Sequence, residues 1–202
     1  LQAQFDDLDG IVDTTGRVML GVSMGCARCH DHKGDPLPQA DYYRFLSFFH
    51  GIKPYKIGGG NGITTKNFVR RIPIDIDTDV VNQEDASGEE VLCVMESGVT
   101  PPETYICIRG NPHLKGEIVE PGIPGMIMDG AVSIHAPPAG ASTSYRRSSL
   151  AAWIVDPANP RTSRVMANRI WQHHFGRGIV RTPNDFGAFG LPPSHPDLLD
   201  WL

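Results

Sequence analysis

The clearest periodic signal along this chain lies towards its C-terminus. Over 162–175, Val165, Met166, Ile170 and Trp171 recur at helical spacing; Thr162 stands where an N-cap belongs and Gly176 where a C-cap does. That pattern predicts a helix. A second stripe, over 39–50, is aromatic: Tyr42, Tyr43, Phe45, Leu46, Phe48 and Phe49, with Asp41 in the first turn and Gly51 as the closing residue. It predicts another helix, whose rings form either an ordinary core stripe or the wall of a porphyrin site. Shorter helical patterns cover 148–154 and 197–202, the latter capped by Ser194. Residues 1–16 are polar and acidic and read as a solvated helix or loop. The apolar run 17–22 reads as a strand or as the first turns of a helix.

Strand patterning is weaker. Segments 90–96 and 104–109 are β-rich and flank Gly98-Val99-Thr100-Pro101-Pro102, which predicts a hairpin with a proline-stiffened loop. Cys93 and Cys107 fall on its two arms, either as a disulfide or as two separate buried thiols. The remainder reads as loop. Gly58-Gly59-Gly60-Asn61-Gly62 lacks the Gly-Lys-Ser/Thr ending of a phosphate loop and reads as a linker. Asp75, Asp77 and Asp79 resemble the start of a calcium loop, but the glycine and distal glutamate of that pattern are missing. A second linker or long loop covers 129–145. The expected class is α+β: mainly short helices, a small antiparallel β-hairpin or sheet, and much irregular loop. Three regions are expected, 1–56, 57–145 and 146–202.

Composition sharpens this picture in a few places. The 202 residues are 40% hydrophobic, enough for a real core, while 22 glycines and 17 prolines agree with abundant loop. The formal net charge is −5 and no lysine/arginine block exists, which argues against a nucleic-acid partner. No apolar run approaches the ~18 residues of a membrane-spanning helix. Four cysteines are too few for a disulfide scaffold at this length. The chain opens on Leu1 rather than Met and stops inside a helical pattern, so it reads as a piece of a longer protein.

The chemistry concentrates in Gly21-Val22-Ser23-Met24-Gly25-Cys26-Ala27-Arg28-Cys29-His30-Asp31-His32-Lys33. Cys-x-x-Cys-His is the spacing of covalent c-type haem attachment. Two thiols three apart on a helical turn share a face and can add to the two vinyl groups of one porphyrin, and His30 then offers an imidazole to the iron. Histidine or methionine from elsewhere would supply the sixth ligand, with His173, His174 and His113 ahead of Met95, Met126 and Met128. Without haem, Cys26, Cys29, His30 and His32 are ligands for a transition metal such as zinc, with His113, His173 and His174 as further metal candidates. The pair is also half of a structural zinc site, or a redox dithiol, though no βαβ pattern accompanies it. Overlapping it, Gly21-Val22-Ser23-Met24-Gly25 fits the Gly-x-Ser-x-Gly elbow of serine hydrolases. In that alternative Ser23 is the nucleophile, with Asp185 and His195 completing the Ser, Asp, His order.

Two long stretches carry a family resemblance. Asp13-Thr14-Thr15-Gly16, Leu20-Gly21, Cys26 through Lys33, Asp35-Pro36 and Asp41-Tyr42-Tyr43 resemble the end of the second cytochrome-type domain of planctomycete-specific cytochrome-like proteins. Asp156-Pro157-Ala158-Asn159-Pro160, Arg164 through Gly178, Thr182 through Gly187 and Pro192 through Trp201 resemble the start of the planctomycete-specific domain that follows it. Arg109-Gly110-Asn111-Pro112-His113 and Glu120-Pro121-Gly122 resemble the piece between them. The resemblance implies an exported protein, a haem on Cys26 and Cys29 with His30 on the iron, and a redox partner protein or an upstream cytochrome domain. Position 34, usually aromatic in such proteins, is Gly34 here, which predicts a looser loop after the motif and a lost packing partner.

Overall fold

The computed structural model describes residues 1–53, 57–58, 62–63, 69–73, 88–127 and 134–202. The centre of the glycine run, the Asp75, Asp77 and Asp79 series, Met128 and the start of the 129–145 loop lie outside the described residues.

The acidic N-terminal stretch is a helix, α1, over Gln2–Thr15. Its few apolar residues, Phe5, Leu8 and Val12, stand three and four apart and are buried, so one stripe suffices to dock it. The run 17–22 is neither strand nor the start of a motif helix. The chain widens into a π-helical turn over Gly16–Leu20, and Val22 N–H donates to the Gly16 carbonyl at 3.1 Å. Gly16 permits this, because a Cβ there would lie 2.9 Å from the Val22 carbonyl oxygen. Gly21, at φ 59°, then reverses the chain. The motif follows on a 3-10 turn over Gly25–Arg28.

Helix α2 covers Gln39–Leu46 and stops short of the predicted end. Ser47 Oγ donates to the Arg44 carbonyl at 2.7 Å, and the next amides close i to i−3 bonds, so the last aromatics lie on tight turns rather than on a helix closed by Gly51. Tyr42, Tyr43, Phe45 and Phe48 are at most 1% exposed and stack edge to face. They are core rather than the wall of an open site.

Among the described residues three two-stranded antiparallel ribbons follow: β1 (Ile57–Gly58) with β2 (Gly62–Ile63), β3 (Val69–Pro73) with β4 (Gly88–Leu92), and β5 (Thr104–Cys107) with β6 (Lys115–Val119). The predicted hairpin between 90–96 and 104–109 therefore does not form. Beyond Leu92 the chain turns instead to the end of the aromatic segment, where Lys53 N–H donates to the Met95 carbonyl and Ser97 N–H to the Gly51 carbonyl. Cys93, just past the end of β4, and Cys107, at the end of β5, are free thiols.

The C-terminal part holds α3 (Arg146–Ile154), α4 (Pro160–Phe175) and α5 (Pro196–Trp201). Helix α4 starts two residues earlier than its apolar stripe suggests. Asn159 is its cap, accepting from Arg161 N–H at 3.0 Å, and Pro160 fills the first turn, where a missing N–H costs nothing. Thr162 instead accepts from Asn159 Nδ2. Gly176, at φ 79°, closes α4 as expected. Ser194 does not cap α5; its hydroxyl donates to the Ile179 carbonyl.

Two cores result. The larger joins α1, Leu20 to Ala27, Leu37, the α2 aromatics, Cys107, Ile123 and Ile127 with Leu150 and Trp153 of α3. The smaller gathers Ile179, Val180 and Leu199 under Ala167, Trp171, Phe186 and Leu198. Mainly short helices, paired antiparallel strands and long irregular connections make the class α+β, as the patterning predicts.

Candidate functional site

Arg28 ties the Cys-x-x-Cys-His turn to both α1 and α2. Its guanidinium reaches Asp6 at 2.7 Å and Asp9 at 3.2 Å on α1. Its carbonyl accepts from Gln39 Nε2 at 2.8 Å and Tyr43 Oη at 2.9 Å, both on α2. The neighbouring Tyr42 hydroxyl donates to Asp9 at 2.5 Å, so the two acids of α1 and the two tyrosines of α2 form one frame. Burial, reinforced by its surroundings at Cys107, pushes the Tyr43 phenol well above its usual range, which keeps it a donor at any working pH.

Within that frame the motif side chains face outward. Cys26, Cys29 and His30 are exposed, whereas Ala27 between the thiols is fully buried. The His30 ring donates from Nδ1 to the Asp31 carbonyl at 2.7 Å. That leaves Nε2 bare and free to meet a metal, the arrangement in which a backbone acceptor orients a ligating imidazole. Asp31 accepts from Gln39 N–H at 2.8 Å, tying the residue after the ligand to the start of α2.

A second loop abuts the Cys29 thiol. Residues 108–114 form a tight turn closed by Ile108 N–H to the Leu114 carbonyl at 2.9 Å. Arg109 and Gly110 both have positive φ, 54° and 73°. Gly110 is required on two counts: its backbone sign, and a Cβ that would lie 2.5 Å from Cys29 Sγ. The loop thus packs its main chain on the second thiol, and its Ile108 and Leu114 are about half exposed. His113, on the same loop, is exposed, and its N–H donates to Asn111 Oδ1.

His32 differs from His30. It is buried, and its Nδ1 accepts from Asp35 N–H at 2.9 Å, so a neutral ring carries its proton on Nε2. Asp35 is buried beside it. One carboxylate oxygen accepts from Ala188 N–H at 2.6 Å; the other lies 3.4 Å from His32 Nδ1 and has no hydrogen-bond partner. Phe189 stacks edge-on to His32 at 5.6 Å and fills the space over Gly34, where a Cβ would lie 2.5 Å from the ring. The small residue at 34 therefore does not leave the loop without an aromatic partner. The ring comes from 155 residues further along the chain (189 − 34).

The other predicted ligands are dispersed. His173 and His174 are exposed at the C-terminus of α4, and Met126 packs against the larger core. Among the described residues, no group of three or more His, Cys, Asp or Glu side chains converges on one metal position. Cys107 is buried, and burial raises its thiol above the usual value, which makes it an inert core residue rather than a nucleophile.

The alternative hydrolase residues make no hydrogen bond with one another. Ser23 lies between the π-helical turn and the 3-10 turn, not on the strand-to-helix corner that a nucleophile elbow needs. Asp185 accepts from Gly187 N–H within its own loop, and the His195 ring pairs with Ser194. Arg28, Gln39, Tyr43, Gly110, Asp35 and Phe189 escape a motif-based reading, because each acts through a partner distant in sequence.

Fold and site together define a small α+β protein presenting an exposed, helix-framed Cys-x-x-Cys-His turn. Residues 1–54 match the family model PSCyt2, described as a protein of unknown function (DUF1549), and residues 146–202 match PSD1, described as a protein of unknown function (DUF1553). The two names denote planctomycete cytochrome-like and planctomycete-specific domains. No curated protein and no solved structure matches the chain.

Proposed function

We propose that the chain carries a covalently attached c-type haem and serves as an electron-transfer or redox module of a larger exported protein. Cys26 and Cys29 would hold the porphyrin through thioether bonds, and His30 would ligate the iron through Nε2. The observation that carries this reading is the pair of exposed thiols on one buried-backed turn, followed by a histidine whose Nδ1 is already engaged by the Asp31 carbonyl. When bound, such a haem supplies one-electron iron chemistry. The protein's own contribution is positional. Arg28 fixes the turn to α1 and α2, Gly110 lets the 108–114 loop approach Cys29, and Ile108 and Leu114 leave half-exposed apolar surface on that loop. Covalent attachment requires a maturation system outside the cytosol, so the reading also places the protein in an extracytoplasmic compartment, exchanging electrons with a partner protein or a cytochrome domain upstream.

The test is a pyridine haemochrome spectrum on protein made in a host with c-type maturation, beside Cys26→Ala/Cys29→Ala. A covalent haem band present in the first and absent in the second is the expected result. A colourless wild-type protein from a working host would overturn the assignment.

A further inference from the structure

The loop over 182–190, in the C-terminal matched segment, touches the motif from both ends. Phe186 N–H donates to the Gly21 carbonyl at 2.8 Å, and its ring occupies the space where a Gly21 Cβ would stand, 2.8 Å away. Three residues on, Phe189 fills the equivalent notch over Gly34 and stacks on His32. Between them Ala188 N–H binds the buried Asp35 carboxylate, and a Cβ on Gly187 would lie 2.5 Å from that same carboxylate. Gly21 precedes Cys26 by five residues and Gly34 follows His30 by four. Two phenylalanines thus bracket the Cys-x-x-Cys-His turn, one at each end.

The loop is held by its own hydrogen bonds. Thr182 Oγ1 donates to the Asp185 carbonyl at 2.7 Å, Gly187 N–H to Asp185 Oδ1 at 2.8 Å, and Leu191 N–H to Thr182 Oγ1 at 2.9 Å. Arg169 of α4 anchors its base, donating to Asn184 and to the Arg17 carbonyl on the π-helical turn. Phe189 is nevertheless 65% exposed. A ring kept for core burial would be covered; this one contributes little burial, and what it touches is the motif.

We infer that the loop over 182–190 is a clamp that positions the Cys-x-x-Cys-His turn, so that the C-terminal matched segment is part of the N-terminal segment's site. Phe186, Ala188 and Phe189 are positioning residues acting through Gly21, Asp35, Gly34 and His32. The inference rests on the haem reading for its functional consequence, and not for its structural one.

The test compares wild type, Phe189→Ala and the swap Gly34→Phe/Phe189→Gly, which moves the ring to the other side of the same notch. In haem-loaded protein, Phe189→Ala is expected to speed amide exchange over 31–37 by about tenfold, to leave α1 unchanged, and to move the haem midpoint potential; the swap should return exchange to within about threefold of wild type. Wild-type exchange in Phe189→Ala would overturn the clamp. So would faster exchange with an unmoved potential, since the loop would then be packing alone. If the wild-type chain takes up no haem, the functional reading fails by itself and the clamp is decided on the haem-free chain. There, a change of about threefold or more in the iodoacetamide alkylation rates of Cys26 and Cys29 in Phe189→Ala, reversed by the swap, supports it. Equal rates overturn it.

Discussion

Single residues hold the site where no substitute has the right shape or hydrogen-bonding capacity. Gly110 combines a positive φ with contact on the Cys29 sulfur. Gly110→Ala must either shift the loop or displace the thiol, and is expected to lower stability by about 1–3 kcal/mol, read by chemical unfolding. Asn168 is a second case. Fully buried in α4, it accepts from Val180 N–H at 2.7 Å and donates to the Val180 carbonyl at 3.0 Å, reading one residue's backbone with both ends of its amide. Asn168→Ala leaves both backbone groups unsatisfied and should cost about 2–3 kcal/mol, seen as a lower Tm.

At the scale of elements, α3 is fastened to the chain ahead of it by a buried acid. Glu96 accepts from Ser144 N–H at 2.7 Å and Arg147 Nε at 2.8 Å at the start of the helix. Burial pushes its carboxyl up, but the Ser144 and Arg147 bonds together outweigh burial and hold it below the usual 4.5. His50, facing Thr104 at 2.9 Å, is held below its usual 6.5 by burial and then by Arg146 and Lys115. Both groups bind fewer protons folded than unfolded. Their stabilisation is therefore complete above the unfolded values and lost as the pH falls through the folded ones. Denaturant midpoints measured downward from about pH 8 should fall in two stages, His50 first and the carboxylates led by Glu96 later, and Glu96→Gln should shrink the lower stage while lowering the neutral-pH plateau.

For the whole molecule, Arg169 is one of the side chains that join the N-terminal and C-terminal parts. Its guanidinium serves the Arg17 carbonyl, the Pro183 carbonyl and Asn184 Oδ1, linking the π-helical turn ahead of the motif to the loop behind α4. Arg169→Met keeps the stem but strands these acceptors. A loss of about 1–3 kcal/mol is expected, with amide exchange rising together over 16–22 and 182–186. Independent changes in the two segments would show that the cores do not communicate through this residue.

What the chain determined by itself is local. The α4 stripe with its Gly176 cap, the aromatic content of α2 and the Cys-x-x-Cys-His spacing all rest on neighbours within a few residues, where helical periodicity and capping chemistry act. The tertiary structure decided what depends on distant partners. The acidic start became a helix because three apolar residues found a core, and the 90–96 and 104–109 segments separated because each met a better strand or loop elsewhere. Against the family resemblance Gly34 stands as a missing aromatic, yet in space it is the notch for Phe189. Steric fit between residues far apart in sequence leaves no periodic trace, so the frame behind the thiols and the packing of the 182–190 loop on Gly21 and Gly34 emerge only once the chain is folded.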